Sequence, residues 1–241
     1  MIPYQKFAKI YDELMDESLY DQWKAYTLKH IPLNESILEL GCGSGRLASR
    51  LSRAGYKLTG LDNSIEMLSL AHIHKEETQT DYMLIERDMT DLSDLPNYDH
   101  VISFNDSICY LPNLDIVGQL FKEIHNLLNE NGVFLFDVHS TNKMRDFLSQ
   151  NFHAETEEGL LVWDSYPGES PYSIEHDLSI FVQETDNFYE RFDETHYERT
   201  YPVDDYFNQL KNAGFHLIEV TSDFSDKWDE EGKRWFFKAI K

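Results

Sequence analysis

Three glycines, Gly41, Gly43 and Gly45, lie between an apolar run and a helical pattern. Residues 37–40 are typical of a buried parallel strand, and residues 46–54 place their apolar side chains on one side of a helix. Glycines at such a junction permit a tight turn and let a ligand approach the backbone closely. The feature therefore predicts a parallel strand that leads through a ligand-binding loop into a helix.

Strand and helix patterns alternate up to about residue 140, after a helical stretch at residues 4–30. Asn131 and Gly132 are expected to turn the chain before the fifth strand. Alternation of this kind indicates a parallel sheet with helices on both faces. The further predicted strands are residues 56–62, 82–86, 98–104 and 133–138, and the helices between them begin after Ser64 and at Leu114.

The pattern changes after about Thr141. Residues 160–201 are strand-like, aromatic and acidic, with turns expected at Pro167-Gly168 and Asp186-Asn187. This stretch predicts an antiparallel lobe of three or four strands. A helix at residues 203–213 and two strands, residues 215–220 and 234–240, follow it.

These elements predict an α/β fold: a seven-stranded sheet with helices on both faces and an antiparallel β lobe inserted after the fifth strand. We divide the chain into an N-terminal helical segment (1–34), a sheet domain (35–142 and 202–241) and an inserted substrate-cap lobe (143–201).

The charge balance restricts the partners of the chain. It has 21 basic and 44 acidic residues, a net charge of −23, and no cluster of lysines and arginines. Such a chain repels nucleic acid at long range. Its two cysteines, Cys42 and Cys109, form no CxxC pair, and no signal peptide or membrane span is recognised. We therefore expect a cytoplasmic protein without a membrane partner, and the sequence leaves homodimerisation open.

Acidic residues follow the next two predicted strands. Asp62 lies 21 residues after Gly41, and Asp88 and Met89 follow the third strand. An acid at the second strand end can accept hydrogen bonds from ribose hydroxyls, and one at the third can accept from an adenine amino group. An ordinary turn with helix-capping acids is the alternative, which we consider weaker because all three features meet at one sheet edge.

These motifs resemble the class I S-adenosylmethionine-dependent methyltransferases, which have a Rossmann-like fold. The specific resemblance covers about residues 35–140, and a looser one extends to both ends, where it is similar to a bacterial subgroup that acts on small molecules or is uncharacterised. The segments that carry it are residues 37–45, 60–68, 86–89, 98–101 and 127–137.

The resemblance implies S-adenosylmethionine as the cofactor. It implies that Tyr11 lies over this cofactor, and that Phe104 and Asn105 lie against its methionine part. The cofactor-binding residues that we predict are Tyr11, Glu39, Gly41, Cys42, Gly43, Gly45, Arg46, Asp62, Asn63, Met67, Asp88, Met89, Phe104 and Asn105.

Methyl transfer needs a base only when the acceptor must lose a proton. Asp106, Tyr110 and His139 lie just past strand ends and are the candidate catalytic residues. A helix cap is the alternative for Asp106, and a structural hydrogen bond is the alternative for His139. No metal site is predicted, because His72 and His74 are two apart on a helix and do not share a face.

The aromatic residues of the lobe have two interpretations. Alternating aromatics on strands more often form a small core than a binding site, so we expect core packing, with some rings serving both purposes. His196, Tyr197 and Arg199 are further candidates for substrate contact. The aromatics are Trp163, Tyr166, Tyr172, Phe181, Phe188, Tyr189, Phe192, Tyr197 and Tyr201.

The leading hypothesis is a methyltransferase with a small-molecule acceptor. A methyltransferase acting on RNA or protein is disfavoured by the net charge and by the lack of an Asn/Asp-Pro-Pro-Tyr/Phe motif after the fourth strand. A protein that binds the cofactor without catalysis stays open. The G-x-G-x-G spacing and the final strand pair argue against a nicotinamide-dependent oxidoreductase.

Overall fold

The chain forms a seven-stranded and a four-stranded β-sheet in a computed structural model, which describes residues 4–149, 151–156, 159–185 and 188–241. The strands are β1 (Ser36–Leu40), β2 (Lys57–Asp62), β3 (Met83–Glu86), β4 (Tyr98–Ser103), β5 (Leu128–His139), β6 (Phe152–Glu155), β7 (Gly159–Pro167), β8 (Ser173–Thr185), β9 (Phe188–Arg199), β10 (His216–Ser222) and β11 (Arg234–Ile240). The helices are α1 (Tyr4–Leu14), α2 (Glu17–His30), α3 (Arg46–Ala54), α4 (Ile65–Thr78), α5 (Leu114–Leu127), α6 (Thr141–Phe147) and α7 (Val203–Ala213).

The large sheet has the strand order β10-β11-β5-β4-β1-β2-β3. Strands β1 to β5 pair in parallel, whereas β11 pairs antiparallel with both β5 and β10. Because the chain runs outward from β1 to β3 and then returns to β4 on the other side of β1, the order reverses at β1. Ligands of open α/β sheets bind at the carboxyl ends of the strands beside such a reversal.

Both faces of this sheet are buried, as parallel strands require. Helices α5 and α7 cover one face with residues such as Phe121 and Tyr206, and α2 and α3 cover the other with residues such as Trp23 and Leu51. The side chains of β1 point alternately to the two faces: Leu38 and Leu40 pack beneath α5 and α7, and Ile37 packs beneath α2 and α3. The predicted fold class, including the inserted antiparallel lobe, is confirmed.

The inserted sheet has the order β6-β7-β8-β9 and is antiparallel throughout. Its core consists of aliphatic side chains on β7 and β8, and Ile10 of α1 packs into it. Helix α1 therefore bridges the lobe and the large sheet. The buried residues of this core are Ile10, Leu161, Leu178, Ile180 and Val182.

The expectation that the lobe aromatics are mainly core residues is wrong for five of the nine. The sheet is a single layer, and aliphatic side chains fill its contact with α1, so these rings stay in solvent. The five exposed rings are those of Tyr166, Tyr172, Phe188, Tyr189 and Tyr197.

Three further predictions of local structure differ from the fold. The helical stretch is broken at Met15, because the Asp16 side chain accepts a hydrogen bond from Ser18 N and starts a second helix. Strand β5 already begins at Leu128, with Asn131 inside it at a φ of 62°, so no separate turn precedes it. The first strand of the lobe begins at Phe152, before the strand-like stretch predicted from residue 160, whereas its four strands agree with the predicted three or four. The turn predicted at Asp186-Asn187 lies outside the described residues.

Within the described ranges, no helix is both long enough and apolar enough to cross a bilayer.

Candidate active site

A cavity of about 560 Å³ lies at the carboxyl ends of β1 to β4. Tyr11 of helix α1 and residues of the inserted lobe form further parts of its wall. Ten of the seventeen predicted site residues line this cavity: Tyr11, Gly41, Gly43, Asp62, Asn63, Met67, Asp88, Met89, Asn105 and Tyr110. The other seven are not on its wall: Glu39, Cys42, Gly45, Arg46, Phe104, Asp106 and His139.

The glycine loop is fixed to the end of β2. The backbone N–H groups of Gly41 and Cys42 both donate to the carbonyl of Leu61, at 2.8 and 3.0 Å. A Cβ on Gly41 would lie 2.5 Å from Ser107 Oγ, whereas a Cβ on Gly43 would meet no atom within 4 Å. Gly41 therefore allows the protein to pack on the loop, and Gly43 leaves the cavity beside the loop open to a ligand.

Asp62 joins the loop to the next helix. Its Oδ2 accepts from Gly43 N at 2.7 Å, and its Oδ1 accepts from Ser64 N at 2.9 Å. Burial raises the pKa of Asp62, and these backbone hydrogen bonds oppose that rise. Each carboxylate oxygen can accept a further hydrogen bond, so the group is placed to accept from two ligand hydroxyls.

Glu39 lies behind the loop in β1 and is buried. Its Oε2 has no hydrogen-bond partner among the described residues, and burial together with the charge of Asp62 raises its pKa to about 8. A buried acceptor without a partner is costly, and an ammonium group nearby would relieve that cost. S-adenosylmethionine carries an ammonium, ribose hydroxyls and an adenine, so the acids along this edge fit its polar groups.

Asp88 and Met89 form the far end of the cavity beyond β3. Asp88 Oδ1 accepts from both N and Oγ1 of Thr90, at 2.8 and 2.7 Å, and these bonds orient the exposed carboxylate. Met67 of α4 and Met89 also line the wall. A polar acceptor beside two flexible apolar side chains suits the edge and the faces of an adenine ring.

Helix α1 is held over the cavity by Asp12, a residue that the sequence did not single out as part of the site. The buried Asp12 carboxylate accepts from Ser44 Oγ and from Arg46, with Nε and Nη2 both at 2.6 Å. Arg46 therefore binds α1 and does not reach the cavity. Next to Asp12, the Tyr11 hydroxyl accepts from Asn105 Nδ2 at 3.0 Å, which places both side chains on the cavity wall.

Three other predicted cofactor residues have packing contacts instead of cavity contacts. Cys42 packs against Gly60, where a Cβ would lie 2.9 Å from its sulfur. Gly45 immediately precedes α3, at a position where Ala71 and Tyr82 leave no space for a side chain. Phe104 stacks with Trp23 in the core, at a centroid distance of 6.5 Å.

The two histidines of α4 have different partners. His72 faces Glu76, whereas a ring nitrogen of His74 forms a hydrogen bond with the backbone oxygen of Ser44.

Two of the three candidate bases are buried beneath the cavity. Asp106 Oδ1 lies 3.2 Å from His139 Nε2 and accepts from Arg234 Nη2 at 2.8 Å. Asp106 caps no helix with its side chain; burial acts to raise the pKa of this carboxyl, but the guanidinium of Arg234 helps to hold that pKa below its ordinary value. Burial lowers the pKa of His139 to about 3. Only Tyr110 reaches the cavity.

The lobe contributes three residues to the cavity wall: Trp163, Leu178 and His196. Trp163 and His196 were candidates from their chemistry, but Leu178 has no sequence signal beyond strand patterning. Tyr197 is exposed and Arg199 stacks on Tyr201, and neither lines the cavity.

A cluster of three buried side chains was not predicted from the sequence. Asp106, His139 and Glu198 each place one atom that could bind a metal ion within 4.8 Å of the others.

Comparison with known proteins decides the family. A family model described as a methyltransferase domain matches residues 37–132. A protein of Geobacillus sp. (strain WCH70), provisionally named a methyltransferase, is 41% identical over 246 residues, covering 99% of each chain. The crystal structure of an S-adenosylmethionine-dependent methyltransferase from Clostridium acetobutylicum is 27% identical, with a TM-score of 0.84 and 98% of each chain covered.

The chain belongs to the class I S-adenosylmethionine-dependent methyltransferases. The predictions of family, enzyme class and cofactor are thereby confirmed. This methyltransferase also shares its fold with the sugar N-methyltransferase KedS8 from Streptoalloteichus, at 18% identity and a TM-score of 0.74, with 98% of this chain and 92% of that chain covered.

Proposed function

We propose that this methyltransferase transfers the methyl group of S-adenosylmethionine to a small-molecule acceptor by in-line displacement. The cofactor, when bound, supplies a methyl group already activated by the positive sulfonium. The chain must then align the acceptor, exclude water and, where needed, hold a proton.

The observation that carries the proposal is the size of the cavity, together with the lobe residues on its wall. Cofactor and acceptor must share about 560 Å³, a size within the range of roughly 300–1,000 Å³ found for small-molecule sites. Trp163 and Leu178 of the lobe form part of its wall. We therefore take residues 143–201 as a substrate cap, which leaves little room for a macromolecular acceptor.

The net charge of the chain also supports a small-molecule acceptor. With a net charge of −23, the chain opposes the approach of a phosphate backbone. The acceptor class in the name of KedS8, a sugar, supports a small acceptor for this architecture. Tyr11, Asn105 and Tyr110 provide hydroxyl and amide groups at the acceptor end of the cavity, which we define as the part lined by these three residues, Trp163 and His196.

The test follows the methyl label. The protein is incubated with methyl-tritiated S-adenosylmethionine and a Geobacillus extract that ultrafiltration has divided into low-mass and macromolecular fractions. We expect incorporation into the low-mass fraction, and much less with the Asp62→Ala variant. Label that appears only in the macromolecular fraction, and that protease or ribonuclease treatment releases, would overturn the proposal.

A further inference from the structure

Three buried polar side chains meet where the inserted lobe joins the large sheet. Asp106 follows β4, His139 ends β5 and Glu198 lies near the end of β9, and they are 8%, 7% and 3% exposed. His139 Nε2 faces both carboxyl groups, at 3.2 Å from Asp106 Oδ1 and 3.8 Å from Glu198 Oε2. The two carboxyl oxygens lie within 4.8 Å of each other. Three potential metal ligands therefore converge from three separate parts of the chain.

The spacing of these atoms fits a small metal ion. Zn²⁺ binds imidazole nitrogen and carboxylate oxygen at about 2.0–2.2 Å in a tetrahedral arrangement, which places neighbouring ligand atoms roughly 3.3 Å apart. The separations of 3.2 and 3.8 Å from His139 Nε2 are close to this value. Mg²⁺ and Ca²⁺ prefer sites made of oxygen atoms alone. One imidazole with two carboxylates therefore suits a divalent transition-metal ion such as Zn²⁺.

The hydrogen bonding of the cluster is incomplete without such an ion. Three of its buried atoms have no hydrogen-bond partner among the described residues: Glu198 Oε2, His139 Nδ1 and His176 Nε2. His176 Nε2 lies 3.6 Å from the other oxygen of Glu198, and its Nδ1 bonds to Ser165 Oγ at 2.8 Å, which fixes the orientation of the ring. A buried acceptor without a partner is costly. The free oxygen of Glu198, which faces His139 Nε2, therefore points to a ligand that the chain does not supply.

The charges around the cluster favour a dication. Asp137 is a further buried carboxyl group, and one guanidinium contacts both aspartates, with Arg234 Nη2 at 2.8 Å from Asp106 and Nη1 at 2.9 Å from Asp137. In the part of the chain that the structure describes, no other lysine or arginine nitrogen lies within 4.0 Å of Asp106, Asp137 or Glu198, and Lys143 Nζ lies over an aromatic ring of α6 instead. Three carboxylates against one contacting guanidinium leave two negative charges, which a dication would neutralise.

We propose that Asp106, His139 and Glu198 bind one divalent transition-metal ion, and that Zn²⁺ is the ion that their donor atoms suit best. His176 orients the Glu198 carboxylate and is not itself a ligand. The ion displaces the proton that Glu198 retains in the metal-free chain, as metal ions do at protonated ligands. The three ligands are distant in the chain and form no short motif, which is why the spacing of histidines and cysteines predicted no metal site.

The ion would hold together two segments that form the acceptor end of the cavity. Asp106 begins the turn that carries Tyr110, and Glu198 lies on β9 two residues after His196. Tyr110 and His196 both line the cavity, and their rings pack edge to face with centroids 6.1 Å apart. None of the three ligands lines the cavity. The ion therefore fixes the two rings relative to each other from beneath the wall, without contact with the cofactor.

The test measures metal binding by the full chain, purified without a metal-affinity step. After treatment with a chelator and dialysis, the protein is titrated with ZnCl₂ in competition with a chromophoric chelator, and mass spectrometry measures the zinc that remains after gel filtration. We expect one equivalent of Zn²⁺ per chain. Glu198→Gln and His139→Gln should lose more than about 100-fold in affinity, and His176→Gln about 10–100-fold, the usual effect of a residue that orients a ligand. His153→Gln, an exposed histidine of β6, should bind as the unmodified chain does.

A second measurement needs no variant. Crystals of the unmodified chain are soaked in ZnCl₂ and measured at the zinc absorption edge, and we expect an anomalous peak about 2.0–2.2 Å from the three ligand atoms. The inference is overturned if the unmodified chain retains no zinc, if Glu198→Gln and His139→Gln bind it as tightly as the unmodified chain, or if the anomalous peaks lie only elsewhere. Neither measurement uses a methyl acceptor, so methyl label found in a macromolecule would refute the proposed function and leave this result unaffected.

Discussion

The carboxylate of Asp62 accepts a hydrogen bond from the backbone N–H of Gly43, with 2.7 Å between Oδ2 and N. This contact joins the end of β2 to the part of the glycine loop that faces the cavity. Two positions 19 residues apart are thereby fixed relative to each other. The geometry of the cofactor edge depends on this bond.

Replacement of this carboxylate should weaken cofactor binding. We expect Asp62→Ala to reduce the affinity for S-adenosylmethionine at least tenfold, because hydrogen bonds to a charged group contribute about 1.5–3 kcal/mol. Isothermal titration calorimetry measures the change. Asp81→Ala, at an exposed position, is the control. An unchanged affinity in a folded Asp62→Ala protein would contradict the placement of the cofactor.

The loop glycines should respond differently to alanine. Gly43→Ala adds a methyl group to open space, so the free energy of unfolding should fall by only about 1–2 kcal/mol, the cost of a left-handed backbone at a residue with a side chain. The same methyl group would enter the cavity, so we expect the affinity for the cofactor to fall at least tenfold. Gly41→Ala places a Cβ against Ser107 and should lower the free energy of unfolding more strongly. Urea unfolding and calorimetry separate the two effects. Equal losses of stability in both variants would contradict these roles.

Asp12 should control the closure of the cavity by α1. Asp12→Asn weakens the charged pair with Arg46, so we expect faster hydrogen exchange in residues 4–14 and lower cofactor affinity. Glu13→Gln, the neighbouring acid on the same helix, is the matched control. If hydrogen exchange in α1 is the same in the unmodified protein, Asp12→Asn and Glu13→Gln, Asp12 does not hold this helix.

The stability of the protein should fall with rising pH because of Glu198. The pKa of this group is about 8 in the fold, above its ordinary value, so the folded chain retains a proton that the unfolded chain releases. Stability from this group is complete below about pH 4.5 and is lost as the pH rises towards 8, by up to about 1.4 kcal/mol per pH unit. Chemical unfolding of metal-free Glu198→Gln should lack the part of this loss that Glu198 contributes, while the part from Glu39, whose pKa is also raised to about 8, should remain. Parallel curves for the variant and the unmodified chain would exclude a raised pKa.

The sequence predicts the sheet well, and it predicts that the glycine loop and Asp62 lie at one sheet edge, because both depend on local signals. Strand β1, the loop and Asp62 lie close in the chain, and the ends of parallel strands must meet at one edge. The cap of Asp16 and the early start of β5 were missed, since side-chain caps and irregular strands depend on details that periodicity does not contain.

The acceptor end was harder to predict because its residues are distant in the chain. Arg234 and Asp106 are 128 positions apart, yet they form one buried ion pair. Arg46 was predicted to bind the cofactor, but a partner on α1 holds it away from the cavity. Glu198 lies on a strand of mostly exposed residues, and its burial arises from packing against the turn after β4, which no strand pattern records.

The most direct test of the cofactor site is a crystal structure of the protein with S-adenosylhomocysteine, the product that remains after methyl transfer. The account predicts the product's methionine part beside Gly41 and Gly43, its ribose hydroxyls on Asp62, and its adenine between Asp88 and Met89. Product bound away from the carboxyl ends of β1 to β3, for example in a separate cavity lined by Trp228 and Trp235, would contradict it.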